Sequence, residues 1–283
     1  MNESKVFEYK KTKQWRYNKN SKTKFCRLLS GDEIDIIIPI YKKFKKGSLF
    51  NSAAIRLDNI FEDGEDIVLE LSKIEFYDFI LTNILLMQIN EFIEFVEKNK
   101  FPDNVLLILK KLELNMKKEC NINKLEDIVK INELSNVLAV SILVRDKNQK
   151  YILVKRSNAT IIGNEFYGVT STGSVDGEDF DSHNPLLNRA QQELKEELNL
   201  NVNQCDMNIV GLVAGKNKLQ PIAIIDVELN CEVESILENV SGAKDYTKEI
   251  NEIIIVPKEK LREVIYRGRY TEAAEYHIMQ HIN

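Results

Sequence analysis

From Asn136 onward the apolar residues fall into short runs separated by polar turns, the pattern of strands with helices set between them. Val137 to Arg145 and Tyr151 to Lys155 read as strands joined by the polar turn Asp146-Lys147-Asn148-Gln149-Lys150. A third strand leads into a loop at Gly173, and Asn208 to Val213, Pro221 to Leu229 and Ile253 to Val256 are further strands. Glu272 to His281 reads as a closing helix. The first half is mixed. Ile34 to Ile40 is a β-branched apolar run, and Ala53 to Asn59 with Asp66 to Leu71 flank Asp63-Gly64, a turn signal between strands. Helical periodicity covers Phe76 to Asn99 and Asp103 to Lys118, with Pro102 between them. No repeat, low-complexity tract or Pro/Gly linker divides the chain, so the change of pattern sets the expected boundary: an α+β unit over residues 1–135 and a second, α/β unit over 136–283.

Composition adds a size and a charge. At 283 residues and 43% hydrophobic the chain can bury one large or two ordinary cores. The net charge of −5 is unevenly spread: the first thirty residues hold nine Lys and Arg against Glu3 and Glu8, or +7, which leaves −12 for the rest. This basic segment is interleaved with Tyr9, Trp15 and Tyr17, a composition that suits nucleic acid. The plainer reading, a solvated edge or a surface facing an acidic nucleotide, makes nucleic acid an unexpected partner. Cys26, Cys120, Cys205 and Cys231 lack C-x-x-C spacing and are expected to be free, mostly buried thiols. The amino terminus has no signal-peptide core, and the most apolar stretch, Phe76 to Val96, is broken by polar and charged residues. The expectation is a cytoplasmic protein without a membrane partner, for which a homodimer is left open.

The chemistry concentrates in Gln192-Glu193-Leu194-Lys195-Glu196-Glu197-Leu198-Asn199-Leu200. On a helix, Glu193, Glu196 and Glu197 converge, and like charges at this spacing repel by roughly 0.2–0.5 kcal/mol per pair. A divalent cation reverses that penalty. Oxygen ligands without cysteine or histidine nearby favour Mg²⁺ or Mn²⁺ over zinc. The alternative is a solvated acidic helix.

Upstream lies Tyr167-Gly168-Val169-Thr170-Ser171-Thr172-Gly173-Ser174-Val175-Asp176-Gly177-Glu178, and the whole unit resembles the Nudix hydrolase signature, G-x5-E-x7-R-E-U-x-E-E-x-G-U with U aliphatic. Gly173 matches the first glycine, Glu178 the loop glutamate one residue early, and Glu193, Leu194, Glu196, Glu197 and Leu200 the helical half. The chain departs from the pattern in that early glutamate, in an insertion around Phe180 to Pro185, in Gln192 for the arginine and in Asn199 for the last glycine. Asparagine is the usual second choice for a left-handed helix end. Gln192 matters more, because the family's arginine holds a catalytic glutamate; Arg189, one turn earlier, can reach Glu193. The resemblance implies an α/β/α sandwich with a mixed sheet over 136–283. A weaker similarity, carried by Leu49-Phe50-Asn51, Arg56-Leu57, Phe76 to Asn83 and Leu134-Ser135-Asn136, is to the leader domain of Nudix proteins of the UDP-glucose hydrolase type.

What the resemblance implies for the site follows residue by residue. Glu193, Glu196 and Glu197 are the catalytic and metal-binding candidates, with Gly173 through its carbonyl and Glu178 in support. Glu249 is preferred over Glu252 as the later-loop glutamate that acts as base or ligand. Lys155 and Arg156 end a strand where the family places substrate-binding cations, and alternation lets only one face the phosphate. One of Phe166 and Tyr167 is expected to stack on a base and the other to sit in the core. His277 and His281, at i,i+4 on the last helix, resemble half a zinc site but show no third ligand, and are expected at the surface; His183 lies in the insertion. The implied function is metal-dependent hydrolysis of a nucleoside diphosphate linked to another moiety, foremost a UDP-sugar giving UMP and a sugar 1-phosphate. ADP-ribose hydrolysis and a catalytically weak nucleotide-binding regulator are the alternatives.

Overall fold

The computed structural model describes residues 6–10, 13–45, 49–116, 122–157, 166–203, 206–238 and 240–282. Strands β1 (Val6–Lys10) and β2 (Gln14–Asn18) precede helix α1 (Gly31–Lys45) and the hairpin of β3 (Ala53–Asp63) and β4 (Asp66–Glu75), which turns at Gly64 with φ +60°. Then come α2 (Phe76–Phe79), a π-helical turn at Ile80–Ile84, α3 (Leu85–Lys98), α4 (Asp103–Met116) and α5 (Leu125–Val129). The β-branched run Ile34 to Ile40 is helical, lying within α1. Ile34, Ile37, Ile38 and Tyr41 are buried at helical spacing, and Ser30 and Glu33 cap the start reciprocally (Glu33 N to Ser30 Oγ, 3.3 Å; Ser30 N to Glu33 Oε2, 2.8 Å). Cap and period together outweigh the β-branched composition.

The rest of the chain supplies β5 (Ala139–Asp146), β6 (Lys150–Arg156), β7 (Tyr167–Gly168), β8 (Ser171–Ser174), α6 (Pro185–Leu198), β9 (Met207–Gly215) and β10 (Pro221–Leu229). It ends with α7 (Val233–Leu237), α8 (Tyr246–Glu249), β11 (Ile250–Pro257), α9 (Leu261–Arg267) and α10 (Glu272–Met279). The large sheet has the order β1-β9-β10-β5-β6-β11, with β7 on β6 and β8 on β5. It is mixed, because β10 runs parallel to β5 and antiparallel to β9. Alternation sorts β5 between two helical layers. Val140, Ile142 and Val144 join the core that contains Leu186, Ala190, Leu194 and Leu198 of α6, while Leu143 packs with Ala274 and Ile278 of the α10 side. The protein is thus a mixed α+β fold: a helix-flanked mixed sheet plus the small sheet β2-β4-β3.

The two halves share backbone and core. β1 pairs with β9, so residues 6–10 form the edge of the large sheet. From β3, Ile55 N donates to Val175 O (2.9 Å), Ile55 O accepts from Leu138 N (2.8 Å), and Leu57 N donates to Asn136 O (3.1 Å). Ile55, Leu57, Leu69 and Leu71 belong to the same apolar cluster as Leu138, Val140 and Leu194. Polar groups close the seam: Arg56 is fully buried, paired with Asp58 and donating to Leu134 O, and Asn83 accepts from Ser135 Oγ (2.8 Å) while donating to the carbonyls of Lys218 and Leu219 (3.1 Å each). Asn83 and Thr82 lie in the π turn, a distortion frequently found at functional sites. Among the described residues no single helix is long and apolar enough to cross a membrane.

Candidate active site

Helix α6 carries the site. The Asn184 side chain caps its start by accepting from Leu187 N (3.1 Å), Pro185 follows as first helical residue, and Asn199 ends it in the left-handed conformation with φ 52°. Leu186, Ala190, Leu194 and Leu198 recur every fourth residue and enter the core. Glu193 and Glu197 precede two of these leucines, so they flank the apolar stripe and are only 6% and 4% exposed. Glu193 lies directly over Gly173 of β8; a Cβ on that residue would overlap the Glu193 carboxylate, which is why a glycine stands there.

Arg189 grips this cluster. Its Nε donates to Glu193 Oε1 (2.8 Å), its Nη2 contacts the same oxygen, and its Nη1 donates to Asp176 Oδ2 (2.7 Å) and Gln192 Oε1 (3.2 Å). Even so, burial pushes the Glu193 carboxyl up to about 7, against the opposing charge of Arg189 and with repulsion from Glu249 adding to the rise. Glu197 is pushed well above the usual carboxylate range by burial, then by Glu193 and Glu249, with Arg156 opposing. Its Oε1 is buried with no hydrogen-bond partner among the described residues. A buried acceptor without a donor, beside a second buried carboxylate, is destabilising in isolation. Oxygen donors in a carboxylate-rich pocket fit a hard divalent cation such as Mg²⁺ or Mn²⁺.

The remaining candidates sort by distance from this pair. Glu249, at the end of α8, acts on both buried carboxylates. It is placed there by two backbone bonds, Ser157 N to Glu249 O (2.9 Å) and Asp245 N to Glu196 O (3.0 Å). Glu252 is exposed on β11, in register with Lys155. Glu196 is only partly buried and lies at the rim, 3.9 Å from Arg189 and 3.6 Å from Lys244. Glu178 is exposed on a 3₁₀ turn at Gly177–Asp181; the loop carboxylate that Arg189 holds is Asp176. Arg156 Nη1 donates to Thr172 Oγ1 (2.9 Å), one residue from Gly173, and its charge reaches Glu197, whereas Lys155, next along the strand, shows no such tie among the described residues. Phe166 is half-buried and its carbonyl accepts from Arg156 N (2.9 Å). Tyr167 packs on Tyr270 at 5.9 Å, in contact with the carboxyl-terminal segment.

Two features escape the sequence reading. Lys218, in the turn between β9 and β10, has its Nζ 5.0 Å from the Phe79 ring and is depressed to about 7 by burial and by the charge of Arg156. Two hydrogen bonds from Asn83 to the turn's backbone hold it, and the only sequence signal was that asparagine at the end of the Phe76 to Asn83 segment. The second is the carboxyl-terminal histidine pair. His277 is fully buried, not at the surface, and both rings reach the Asp226 carboxylate, a third partner supplied by β10, which lies about fifty residues away in sequence. Burial alone would raise the Asp226 carboxyl, but the two histidine hydrogen bonds hold it well below its usual range; burial pushes the His277 ring down. The cysteine expectation also changes: Cys26 and Cys231 are exposed, and Cys120 and Cys205 lie outside the described residues. His183 is exposed.

No protein-family model and no curated protein matches the sequence. Among solved structures, the chain is similar to DR0079 from Deinococcus radiodurans, with a TM-score of 0.38 and 11% identity over 59% of this chain and 90% of that one. It is also similar to Tm1382, a protein assigned provisionally to the Nudix hydrolases, with a TM-score of 0.36 and 9% identity over 51% of this chain and 70% of that one.

Proposed function

We propose that the chain is a metal-dependent pyrophosphohydrolase of the Nudix kind, acting on a nucleoside diphosphate linked to another moiety, foremost a UDP-sugar. The observation that carries the reading is the buried Glu193–Glu197 pair, with an unsatisfied Glu197 oxygen and Glu249 facing both. A protein that only needed a stable core would place apolar residues there. Glu193 and Glu197, with Glu249 at the edge, would hold the cation, which when bound supplies charge to a diphosphate and lowers the pKa of water.

The chain's own side chains do the positioning. Arg189 fixes Glu193 from one side in the manner expected of the family arginine that Gln192 replaces, so the amide at 192 is no argument against catalysis. Arg156 places a cation beside the carboxylates, suited to the phosphate oxygens on which negative charge grows during hydrolysis. Glu249 is only partly buried and close to the pair, the position from which a carboxylate can take a proton from water. The UDP-sugar preference rests on the similarity of the first half to the leader of that hydrolase type, and Asn83 of that segment holds the Lys218 turn.

A screen of nucleotide sugars and dinucleotides with Mg²⁺, read by mass spectrometry, tests the proposal. UMP and a sugar 1-phosphate from a UDP-sugar support it in full. Turnover of ADP-ribose in their place keeps the reaction and moves the substrate, and tight nucleotide binding without product rejects the enzyme.

A further inference from the structure

On the sheet face opposite α6, Asp226 of β10 has two imidazoles on one oxygen, His277 from α10 and His281 from the turn just after it. His277 Nε2 lies 2.9 Å and His281 Nε2 3.1 Å from its Oδ1. The three donor atoms are all within 4.8 Å of one another. The second nitrogen of each ring is engaged as well, His277 Nδ1 with Ser141 Oγ at 3.0 Å and His281 Nδ1 with Tyr151 OH at 3.4 Å. Histidines that bind metals have this arrangement, one nitrogen for the ion and the other held by an outer partner that fixes the ring.

We propose that Asp226, His277 and His281 form a second metal centre, for a divalent ion of the Zn²⁺ class, which clamps the carboxyl-terminal helix to the sheet. Tetrahedral coordination at about 2.0–2.1 Å sets donor atoms about 3.3 Å apart, so the two N–O distances need only open by a few tenths of an ångström. Two imidazoles and one carboxylate suit Zn²⁺ and Co²⁺ and are a poor match to Mg²⁺, which separates this centre from the all-oxygen glutamate cluster. On binding, each ring presents its Nε2 lone pair to the ion and carries its proton on Nδ1, where it donates to Ser141 Oγ or Tyr151 OH as acceptor, and no proton is released from neutral rings. His277 is fully buried, whereas His281 and Asp226 keep 11% and 22% of their side chains exposed, so the fourth ligand is a water from the solvent side. The placement in the fold explains the role: α10 packs on β5 and β9, and the ion ties it to β10 between them. This centre does not depend on the hydrolase reading.

The test uses the full chain, stripped with a chelator and titrated with Co²⁺. One equivalent should develop the visible bands of four-coordinate Co²⁺, and Zn²⁺ should abolish them. The bands should be lost in His281→Gln and Asp226→Asn and kept in Glu197→Gln, while Ser141→Ala weakens binding about 10–100-fold with an unchanged circular dichroism spectrum. In the unmutated protein, Zn²⁺ should shift the ring resonances of His277 and His281 and raise the melting temperature, a readout that needs no variant. Absence of the bands and of the resonance shifts overturns the proposal, as do bands that persist in His281→Gln or vanish in Glu197→Gln.

Discussion

At the level of single residues, the account turns on one guanidinium serving two carboxylates and one amide. Arg189 binds Glu193, Asp176 and Gln192 at once, so Arg189→Gln should release Glu193 and lower turnover by about 10²-fold, the loss expected for a key charged contact. Adding Gln192→Arg to that variant should restore part of the activity, whereas Gln192→Arg alone sets two guanidinium groups side by side and should not raise it. Rates of the two single variants and the double variant, compared in a cycle, check this; independent, additive losses would show that the two positions do not exchange roles. Much of this was legible in sequence. The i,i+4 spacing put Arg189 within reach of Glu193, and Asn199 was recognisable as a left-handed cap because both are local properties of one helix. Asp176 in place of Glu178 was not legible, since which carboxylate of a loop turns inward depends on the 3₁₀ turn and on β3 holding Val175.

At the level of elements, the contact between α6 and β8 is the part least tolerant of change. Gly173→Ala would drive a methyl group into a carboxylate that Arg189 does not let swing away. The variant should stay folded, because β8 pairs with β5 through its backbone, yet bind Mn²⁺ at least about tenfold more weakly and lose activity in step. Electron paramagnetic resonance of free Mn²⁺ measures this, and unchanged Mn²⁺ binding would remove Glu193 from the ligand set. Strands and helices of the large sheet were mostly visible from period alone. Helix α1 was not, because its five isoleucines favour strand locally and only the cap at Ser30 and the burial of Tyr41 decide otherwise. Pairings far apart in sequence, such as β1 with β9 or Asp226 with His277, leave no periodic trace.

At the scale of the whole molecule, three cations of the basic first segment pair with the β3–β4 hairpin and α2: Lys13 with Glu62, Arg16 with Asp63 and Asp66, and Arg27 with Glu75 and Asp78. These cations serve the fold, so RNA should not compete with substrate. Because β1 completes the large sheet and β3 shares its core, the isolated 136–283 fragment should be insoluble or inactive. A fragment that turns over substrate at the full rate would contradict this. Stability should also depend on pH in a defined sense. Glu193 moves from 4.5 to about 7 on folding and Glu197 moves in the same direction, so between these values the folded chain holds more protons than the unfolded one. The Glu193 contribution is fully present below about pH 4.5 and is lost as pH rises through about 7, and that of Glu197 is lost in the same direction. Asp226, which is depressed, acts oppositely below its usual value of 3.8, and His277 and Lys218, both depressed by burial, act oppositely below 6.5 and between about 7 and 10.5. The part of the two glutamates should therefore appear as a fall in melting temperature in chelator between about pH 5 and pH 8 that is steeper in the unmutated chain than in Glu197→Gln, and Mg²⁺ should recover it most at the higher pH, where the carboxylates are ionised. Equal slopes in the two proteins would show that the buried pair carries no such charge.

The central claim is that Glu193 and Glu197 form a cation-dependent hydrolytic centre, and the most direct measurement is the rate of product formation from the best substrate of the screen by the unmutated chain and by Glu197→Gln, each with Mg²⁺ and with chelator. The account predicts Mg²⁺-dependent turnover that falls by two or more orders of magnitude in the variant, about 2.7–4 kcal/mol of lost stabilisation, while its circular dichroism stays intact. Equal rates in the two proteins, or a rate indifferent to chelator, would contradict it.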